Sequence, residues 1–161
     1  MFMEEYSLLI VDDEELVRNA ISRIIDWKSL GFTKIYEAED GEEALAICRK
    51  NKMHLVMTDI AMPFMDGMEL SRVLNKEFPD IHIVILTGHE EFEYAKQSIQ
   101  YGVKNYILKP IGAESLYKEM RNICDMLHIQ SNQKQYIAKM RSQLHESLPI
   151  LREKFLYSMV C

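Results

Sequence analysis

Five polar residues of this sequence each stand at the end of a short apolar run: Asp12, Asp13, Asp59, Thr87 and Lys109. Three carboxylates in one pocket would repel one another, and some would protonate unless a cation lay between them. A hard divalent cation such as Mg²⁺ suits few carboxylates, several retained waters and a phosphate oxygen. Given a phosphoryl donor, Asp59 could act as nucleophile, Lys109 could neutralise the charge on the transferred group, and the Thr87 hydroxyl could bind it.

Each of these residues also has an ordinary structural explanation. Asp12 and Asp13, followed by two glutamates, would make a favourable acidic first turn of a helix. Asp59 could cap a helix or turn, Thr87 could simply end a strand, and Lys109 with Pro110 could form a plain strand exit. Their shared position at the ends of apolar runs, in this order, favours the functional interpretation.

Five strands must position these side chains, and short apolar runs predict them at 8–11, around 35–36, at 55–57, at 81–86 and at 106–108. Continuous apolar runs that alternate with helices predict a doubly wound α/β domain, with a parallel sheet covered on both sides. In such sheets the site lies beyond the carboxyl ends of the strands. The five polar residues are therefore expected to converge at one edge.

Helical periodicity fills the intervals between the predicted strands. The first helix has one apolar face, and the second and third helices are expected at about 42–50 and 68–78. A fourth covers about 91–101, with Gly102 as its C-terminal stop, and Asp66 before Gly67 can cap the third. The apolar face of the first helix consists of Leu16, Val17, Ala20, Ile21, Ile24 and Ile25.

A helical extension is predicted from Ala113 onward, where the alternation of strands and helices stops. Twelve positions follow heptad steps and nine of them are apolar, which favours a helix that pairs with another helix. The alternative is a final helix that packs on the sheet, followed by a poorly ordered tail. Pro149 should bend or stop the helix, so 150–161 is expected to form a separate short helix. The predicted domains are therefore 1–125 and a helical linker at 126–161. The heptad positions are 116, 120, 123, 127, 130, 134, 137, 141, 144, 148, 151 and 155.

Composition and charge narrow the classes of protein that remain. The net charge is −6, yet residues 131–161 carry five basic and two acidic side chains, so the first 130 residues are strongly acidic. Such a surface is poorly suited to binding nucleic acid. The three cysteines show no metal-binding or paired spacing, and no apolar run is long enough to span a membrane, so we expect a cytoplasmic protein with reduced thiols.

Four segments together resemble the receiver domains of bacterial two-component response regulators: LLIVDDE at 8–14, TDIAMP at 58–63, LTG at 86–88 and YILKP at 106–110. The likeness covers about residues 5–125 in unbroken order. It implies a flavodoxin-like five-stranded sheet in the order 2-1-3-4-5 and a sensor histidine kinase that phosphorylates Asp59. It also implies a signalling protein rather than an enzyme, one that at most catalyses its own phosphorylation and dephosphorylation.

The same resemblance assigns further roles to individual residues. Asp13, Asp59 and the backbone carbonyl of Ala61 would hold Mg²⁺, with Asp12 acting through water. A cis peptide would join Lys109 to Pro110. Thr87 and Tyr106 would couple phosphorylation to shape; the alternative is that Tyr106 is simply a buried aromatic of a strand. The resemblance further implies a homodimer through the face formed by the fourth helix, fifth strand and fifth helix. The heptad positions favour pairing through the C-terminal helix, instead of that face or together with it.

A finer resemblance concerns a subgroup of regulators that end in an AraC-type helix-turn-helix domain. It rests on IDW at 25–27, LGF at 30–32, EEFEYA at 90–95 and LREKFL at 151–156, the last being similar to the start of that subgroup's linker. It implies that a transcriptional, DNA-binding output domain is missing from this chain. The alternative is a stand-alone receiver whose helical tail binds another protein.

Two other classes use similar folds, and the sequence argues against both. A haloacid-dehalogenase-type phosphatase needs a second acid two residues after its nucleophile, where this chain has Ala61. A nucleotide- or flavin-binding domain would need a glycine-rich loop, whereas the six glycines are scattered.

In receivers, Ala61 and His89 would flank the path of the hydrolytic water. Because alanine cannot position a water, we expect moderately slow self-dephosphorylation.

Overall fold

The computed structural model describes residues 5–88, 91, 93, 96 and 100–147. Within them five strands alternate with helices, as the apolar runs predict. The strands are β1 (Tyr6–Val11), β2 (Phe32–Ala38), β3 (Leu55–Asp59), β4 (His82–Thr87) and β5 (Val103–Leu108). The helices are α1 (Glu15–Ile24), a 3-10 turn (Trp27–Leu30), α2 (Gly41–Lys50), α3 (Gly67–Glu77) and a C-terminal helix (Ala113–Ser147).

The five strands form one parallel sheet in the order β2-β1-β3-β4-β5. This order confirms the doubly wound, flavodoxin-like fold expected from the sequence and from the receiver resemblance. The peptide between Lys109 and Pro110 is cis, also as expected. The chain falls into two compact units, the first ending at Asn122 and the second beginning at Ile123.

Burial differs between the central and the edge strands. This difference explains how accurately the sequence located each strand. Every residue of β1, β3 and β4 is buried, because helices cover both faces of a parallel sheet. At the edge, β2 buries only its two ends, Phe32 and Ala38. Its apolar run was therefore short, and the sequence located this strand only around residues 35–36.

Side-chain caps fix where two of the helices begin. Asp66 accepts a hydrogen bond from the backbone N–H of Glu69 at 2.8 Å and so caps α3, as predicted. Asp40 caps α2 in the same way, accepting from the backbone N–H of Glu43 at 2.8 Å. Each cap satisfies an N–H group that the first turn of a helix leaves without an intrahelical partner.

The apolar face predicted for α1 is only partly correct. Ile21 is buried, but Leu16 is 83% exposed and Ala20 is exposed as well. The helix begins at Glu15, so Leu16 lies in its first turn, near the carboxyl edge of the sheet. Periodicity gives the direction of a side chain around the helix axis, but it does not tell whether another element lies there.

The C-terminal helix extends over 35 residues, and its first turns pack on the sheet domain through the buried Leu116 and Met120. A chain of hydrogen bonds from His82 through Asn105 to Glu119 links β4, β5 and this helix. Most of the predicted fourth helix, Pro149 and the predicted short helix at 150–161 lie outside the described residues. Among the residues described, no helix combines the length and the apolarity needed to cross a membrane.

Candidate functional site

The register of the sheet brings the predicted site residues to one level. Thr58 pairs with Val11, so Asp59 at the end of β3 lies beside Asp12, which follows β1. Thr87 at the end of β4 pairs with Leu108, and the backbone N–H of Lys109 donates to the carbonyl of Thr87 at 2.8 Å. All five residues therefore reach the carboxyl edge of the sheet, where ligands of such folds bind.

Three carboxylates meet at this edge. Oxygen atoms of Asp12, Asp13 and Asp59 all lie within 4.8 Å of one another. Asp12 and Asp59 are buried, with 1% and 7% of their surface exposed, whereas Asp13 is exposed. Two buried carboxylates beside a third make a site that strongly favours a bound cation.

Burial and the neighbouring charges shift the pKa of the Asp12 carboxyl. Burial, as the largest cause, raises the pKa of its carboxyl from 3.8 to about 6. The charges of Asp59 and Asp13 raise this pKa further, while the backbone N–H of Glu14 and the charge of Lys109 lower it. Atom Oδ2 of Asp12 is buried and has no hydrogen-bond partner within the described part of the chain. An orphaned carboxylate oxygen beside two other carboxylates fits a hard divalent cation with oxygen ligands.

Asp59 is held through only one of its two carboxylate oxygens. Its Oδ1 accepts hydrogen bonds from Nζ of Lys109 at 3.0 Å and from the backbone N–H of Ile60 at 3.0 Å. Burial alone would lower the pKa of Lys109, but the hydrogen bond and charge of Asp59, with the charges of Asp12 and Glu91, raise it above its usual value. The lysine is therefore a fixed cation, and Oδ2 of Asp59 accepts no hydrogen bond from the described residues.

The remaining predicted residues lie around this cluster. Thr87 is fully buried, and its hydroxyl donates to the carbonyl of Gly88 at 3.1 Å. Ala61 is exposed and lines an open pocket together with Asp13, Met62, Pro63 and Glu91. Tyr106 lies on β5 opposite Ile85, half-buried against the core and two residues before the pair of Thr87 with Leu108. The fold thus brings the acids, Thr87 and Lys109 together and leaves Tyr106 beneath them.

Three residues at the site were not predicted from the sequence. Gly67 approaches the backbone of Asp59 so closely that a side chain there would collide with its carbonyl oxygen. Glu91 lines the pocket and adds negative charge near Lys109. Arg18 of α1 donates to the backbone carbonyl of Asp12 at 2.7 Å. None of these contacts follows from a local sequence pattern, because each depends on how the chain folds around the site.

The fold and the site together define an acidic pocket at the carboxyl edge of a doubly wound sheet, and the family follows from comparison with known sequences. Residues 8–121 match the model of the response regulator receiver domain, which is well over half of the chain. The chain therefore belongs to the receiver domain family of two-component response regulators. Members of this family act in signalling rather than as metabolic enzymes.

Individual relatives agree with this assignment. The chain is 33% identical over 155 residues to the uncharacterized transcriptional regulatory protein YesN of Bacillus subtilis, covering 96% of this chain and 42% of the relative. The chain spans less than half of the length of the curated relatives it matches first. The receiver domain of AraT, a response regulator from Geobacillus stearothermophilus, matches 78% of this chain and 98% of its own at 33% identity, with a TM-score of 0.75. A two-component transcriptional regulator AraC from Clostridium phytofermentans matches 79% of this chain and 98% of its own at 32% identity, with a TM-score of 0.74.

Proposed function

We propose that this chain accepts a phosphoryl group on Asp59 from a sensor histidine kinase. The observation that carries the proposal is the asymmetric environment of the Asp59 carboxylate. Lys109 and the backbone N–H of Ile60 both bind Oδ1, which orients the group and leaves Oδ2 to attack. A nucleophile held in one orientation beside a fixed cation is what in-line phosphoryl transfer requires.

The transfer itself is a simple exchange of bonds. Oδ2 of Asp59 forms a bond to phosphorus, the phosphorus–nitrogen bond of the donor phosphohistidine breaks, and the imidazole leaves with that electron pair. The product is an aspartyl phosphate. Lys109 balances the negative charge that spreads over the transferred group, and the Thr87 hydroxyl turns from the Gly88 carbonyl to donate to a phosphoryl oxygen.

Mg²⁺ is the proposed cofactor of this site. Asp13, Asp59 and the backbone carbonyl of Ala61 would hold the ion, with Asp12 acting through water. The ion would supply positive charge that neutralises the carboxylates and the incoming phosphoryl group. The three converging carboxylates and the orphaned Oδ2 of Asp12 support this assignment.

Any catalysis by this chain concerns its own phosphoryl group. Ala61 lines the open pocket and has only a methyl group, which cannot orient an attacking water. His89, the other residue expected beside the water path, lies outside the described residues. We propose that the aspartyl phosphate is lost moderately slowly, so that loss within seconds would contradict this part of the proposal.

Phosphorylation is proposed to act through Thr87 and Tyr106. Thr87 would move toward the phosphoryl group, and Tyr106, now half-buried against the core, would turn inward into the space that Thr87 vacates. The neighbouring face of the molecule would change with it and favour a homodimer. Such a population shift requires the phosphoryl group to favour one state by a few kcal/mol, about 5.5 kcal/mol for a shift from 1:99 to 99:1.

The output is proposed to be transcriptional and to reside beyond this chain, in a DNA-binding domain of AraC type. The likeness to YesN extends over 155 residues, past the receiver match that ends at residue 121, and therefore includes most of the C-terminal helix. We propose that residues 126–161 form the linker to that domain and that the protein works in the cytoplasm.

The C-terminal helix also supports the proposed homodimer. Five of its exposed apolar side chains follow a stripe at steps of three and four residues, with Gln133 as the polar member. This stripe shares Ile137 and Leu144 with the predicted heptad, but it avoids the polar positions Gln130, Lys134 and Arg141. The stripe consists of Met126, Ile129, Ile137, Met140 and Leu144.

The first test is the intact mass of the protein after incubation with acetyl phosphate, with and without Mg²⁺. We expect one added phosphoryl group that requires both Mg²⁺ and Asp59, and therefore none in Asp59→Asn. The matched control is Asp26→Asn, because Asp26 is exposed and its side chain caps no helix. Addition that persists in Asp59→Asn, or no addition to the folded wild-type protein with Mg²⁺, would contradict the proposal.

A further inference from the structure

Arg18 joins three elements of the fold next to the acidic pocket. It lies in α1, and only 14% of its side chain is exposed. Nη1 donates to the backbone carbonyl of Asp12 at 2.7 Å, and Nε donates to Oε1 of Glu37 on β2 at 3.3 Å. The guanidinium therefore ties the first helix and the edge strand to the turn that carries the first two acids.

Its contact falls on the peptide unit between Asp12 and Asp13. The other groups of Asp12 are also held, because its N–H donates to the Ala38 carbonyl at 3.1 Å and its Oδ1 accepts from the Glu14 N–H at 2.9 Å. With Arg18 on the carbonyl, the backbone of Asp12 is fixed at both ends. The orientation of the peptide plane between Asp12 and Asp13, which sets the direction of the Asp13 side chain, is therefore fixed as well.

Asp13 has no comparable support of its own. Its side chain is exposed, and its carboxylate accepts no hydrogen bond from the described residues. Its oxygen nevertheless lies within 4.8 Å of those of Asp12 and Asp59. The placement of this carboxylate therefore depends on the backbone that Arg18 holds.

A purely electrostatic role for Arg18 would act in the opposite direction. A cation near three carboxylates repels a divalent cation, so removing it would tighten metal binding. However, Arg18 contacts a carbonyl rather than a carboxylate of the pocket, and Glu37 pairs its charge. The geometric effect on the acids is therefore expected to outweigh the repulsion.

We propose that Arg18, oriented by Glu37, is a positioning residue that sets the Asp12–Asp13 turn for a divalent cation. The proposal deepens the proposed function and rests on it, since the cation is the Mg²⁺ of phosphoryl transfer. Groups that orient metal ligands commonly change metal affinity by about 10- to 100-fold when they are removed.

The test measures Mg²⁺ binding by calorimetry to the full chain and to four variants. Arg18→Gln is expected to weaken binding about 10-fold or more. Arg18→Lys should be intermediate, because an ammonium lacks the planar fork that reaches both partners. Glu37→Gln should also be intermediate, because it loosens Arg18 while leaving its contact with Asp12. Arg49→Gln is the matched control, since Arg49 makes a similar ion pair with Glu77 on an exposed surface, and its affinity should equal wild type.

A second readout separates positioning from general damage to the fold. The rate of phosphorylation by acetyl phosphate is measured against Mg²⁺ concentration. Arg18→Gln should need about 10-fold more Mg²⁺ for half-maximal rate and should approach the wild-type maximum at saturation. Glu37→Gln keeps the test valid should Arg18→Gln fail to fold.

The outcomes distinguish this proposal from the function on which it rests. If wild type binds Mg²⁺ and is phosphorylated while Arg18→Gln and Glu37→Gln match its Mg²⁺ affinity within twofold, or exceed it, the positioning role is overturned and the phosphoryl-acceptor function stands. If wild type binds no Mg²⁺, both fail.

Discussion

Nζ of Lys109 lies 3.0 Å from Oδ1 of Asp59, although the two residues are fifty positions apart in the sequence. The contact exists because β3 and β5 end at the same edge of the sheet, on either side of β4. It places the ammonium group of Lys109 against a buried carboxylate. Among the described residues, Lys109 is the cation that contacts the proposed nucleophile directly.

Replacing Lys109 by Gln should slow phosphorylation of Asp59 by acetyl phosphate on the order of 100-fold, because a charge-stabilising donor is lost at the point where charge develops. The rate of mass gain at saturating Mg²⁺ measures the effect. Lys118→Gln is the control, since Lys118 is exposed and pairs with Glu114 on the C-terminal helix. An unchanged rate in Lys109→Gln would assign the charge stabilisation to Mg²⁺ alone.

The stability of the metal-free protein should fall with rising pH because of Asp12. Its pKa is raised from 3.8 to about 6 in the folded state, so folding favours the protonated form. The corresponding stability is present below pH 4 and is lost as the pH rises through 6. A shift of this size amounts to about 3 kcal/mol for a buried group.

Asp12→Asn should remove that pH dependence. In chelator at pH 7.5 the variant should therefore be more stable than wild type by up to about 3 kcal/mol, and the difference should vanish near pH 4. Urea unfolding at a series of pH values measures both. Saturating Mg²⁺ should reverse the order, because it stabilises the wild-type carboxylate. Equal free energies of unfolding for wild type and Asp12→Asn at pH 7.5 in chelator would show that the ionised Asp12 does not destabilise the fold.

Gly67→Ala should destabilise the protein by about 1–3 kcal/mol, because the added methyl group collides with the Asp59 carbonyl and crowds Cα of Ile60 at 3.0 Å. The forced shift of β3 and α3 should also slow phosphorylation. Gly88→Ala is the matched control near the same site, since a methyl group there meets nothing within 4 Å. Thermal unfolding of both variants decides the question, and equal melting temperatures would be inconsistent with the close approach.

Phe64→Gly should make the protein more stable by up to about 1 kcal/mol. Phe64 has a φ of 68°, in the left-handed region that disfavours side chains, and its ring is 94% exposed, so little packing is lost. Phe64→Val should be less stable than wild type, because a β-branched residue fits this region poorly. Urea unfolding midpoints compare the three proteins, and a less stable Gly variant would refute the prediction.

Ile137→Lys should weaken the proposed homodimer by placing a charge in the exposed stripe of the C-terminal helix. Gln135→Lys adds the same charge on the opposite side of that helix and should leave assembly unchanged. Sedimentation equilibrium of phosphorylated and unphosphorylated protein gives the dissociation constants. Equal values for the two variants would exclude this stripe as the dimer contact.

Sequence reasoning located the strands by their apolar runs and the site by the polar residues that end them. It succeeded best for β1, β3 and β4, whose residues are buried throughout. It was less accurate for β2, where burial is confined to the ends, and for α1, where Leu16 is exposed. β2 is the edge strand of the sheet and is therefore less covered than the central strands, whereas Leu16 lies in the first turn of α1, near the carboxyl ends of the strands.

The sequence by itself determined the order of strands and helices, the family, and the identity of the acids, the threonine and the lysine, because each depends on a local pattern of a few neighbouring residues. Only the tertiary structure decided how those groups act on one another. The raised pKa of Asp12, the single engaged oxygen of Asp59, the close approach of Gly67 and the contact of Arg18 with Asp12 all depend on how the folded chain places these groups against one another. Distances, burial and charge pairing of this kind are set when the chain packs, and no local periodicity encodes them.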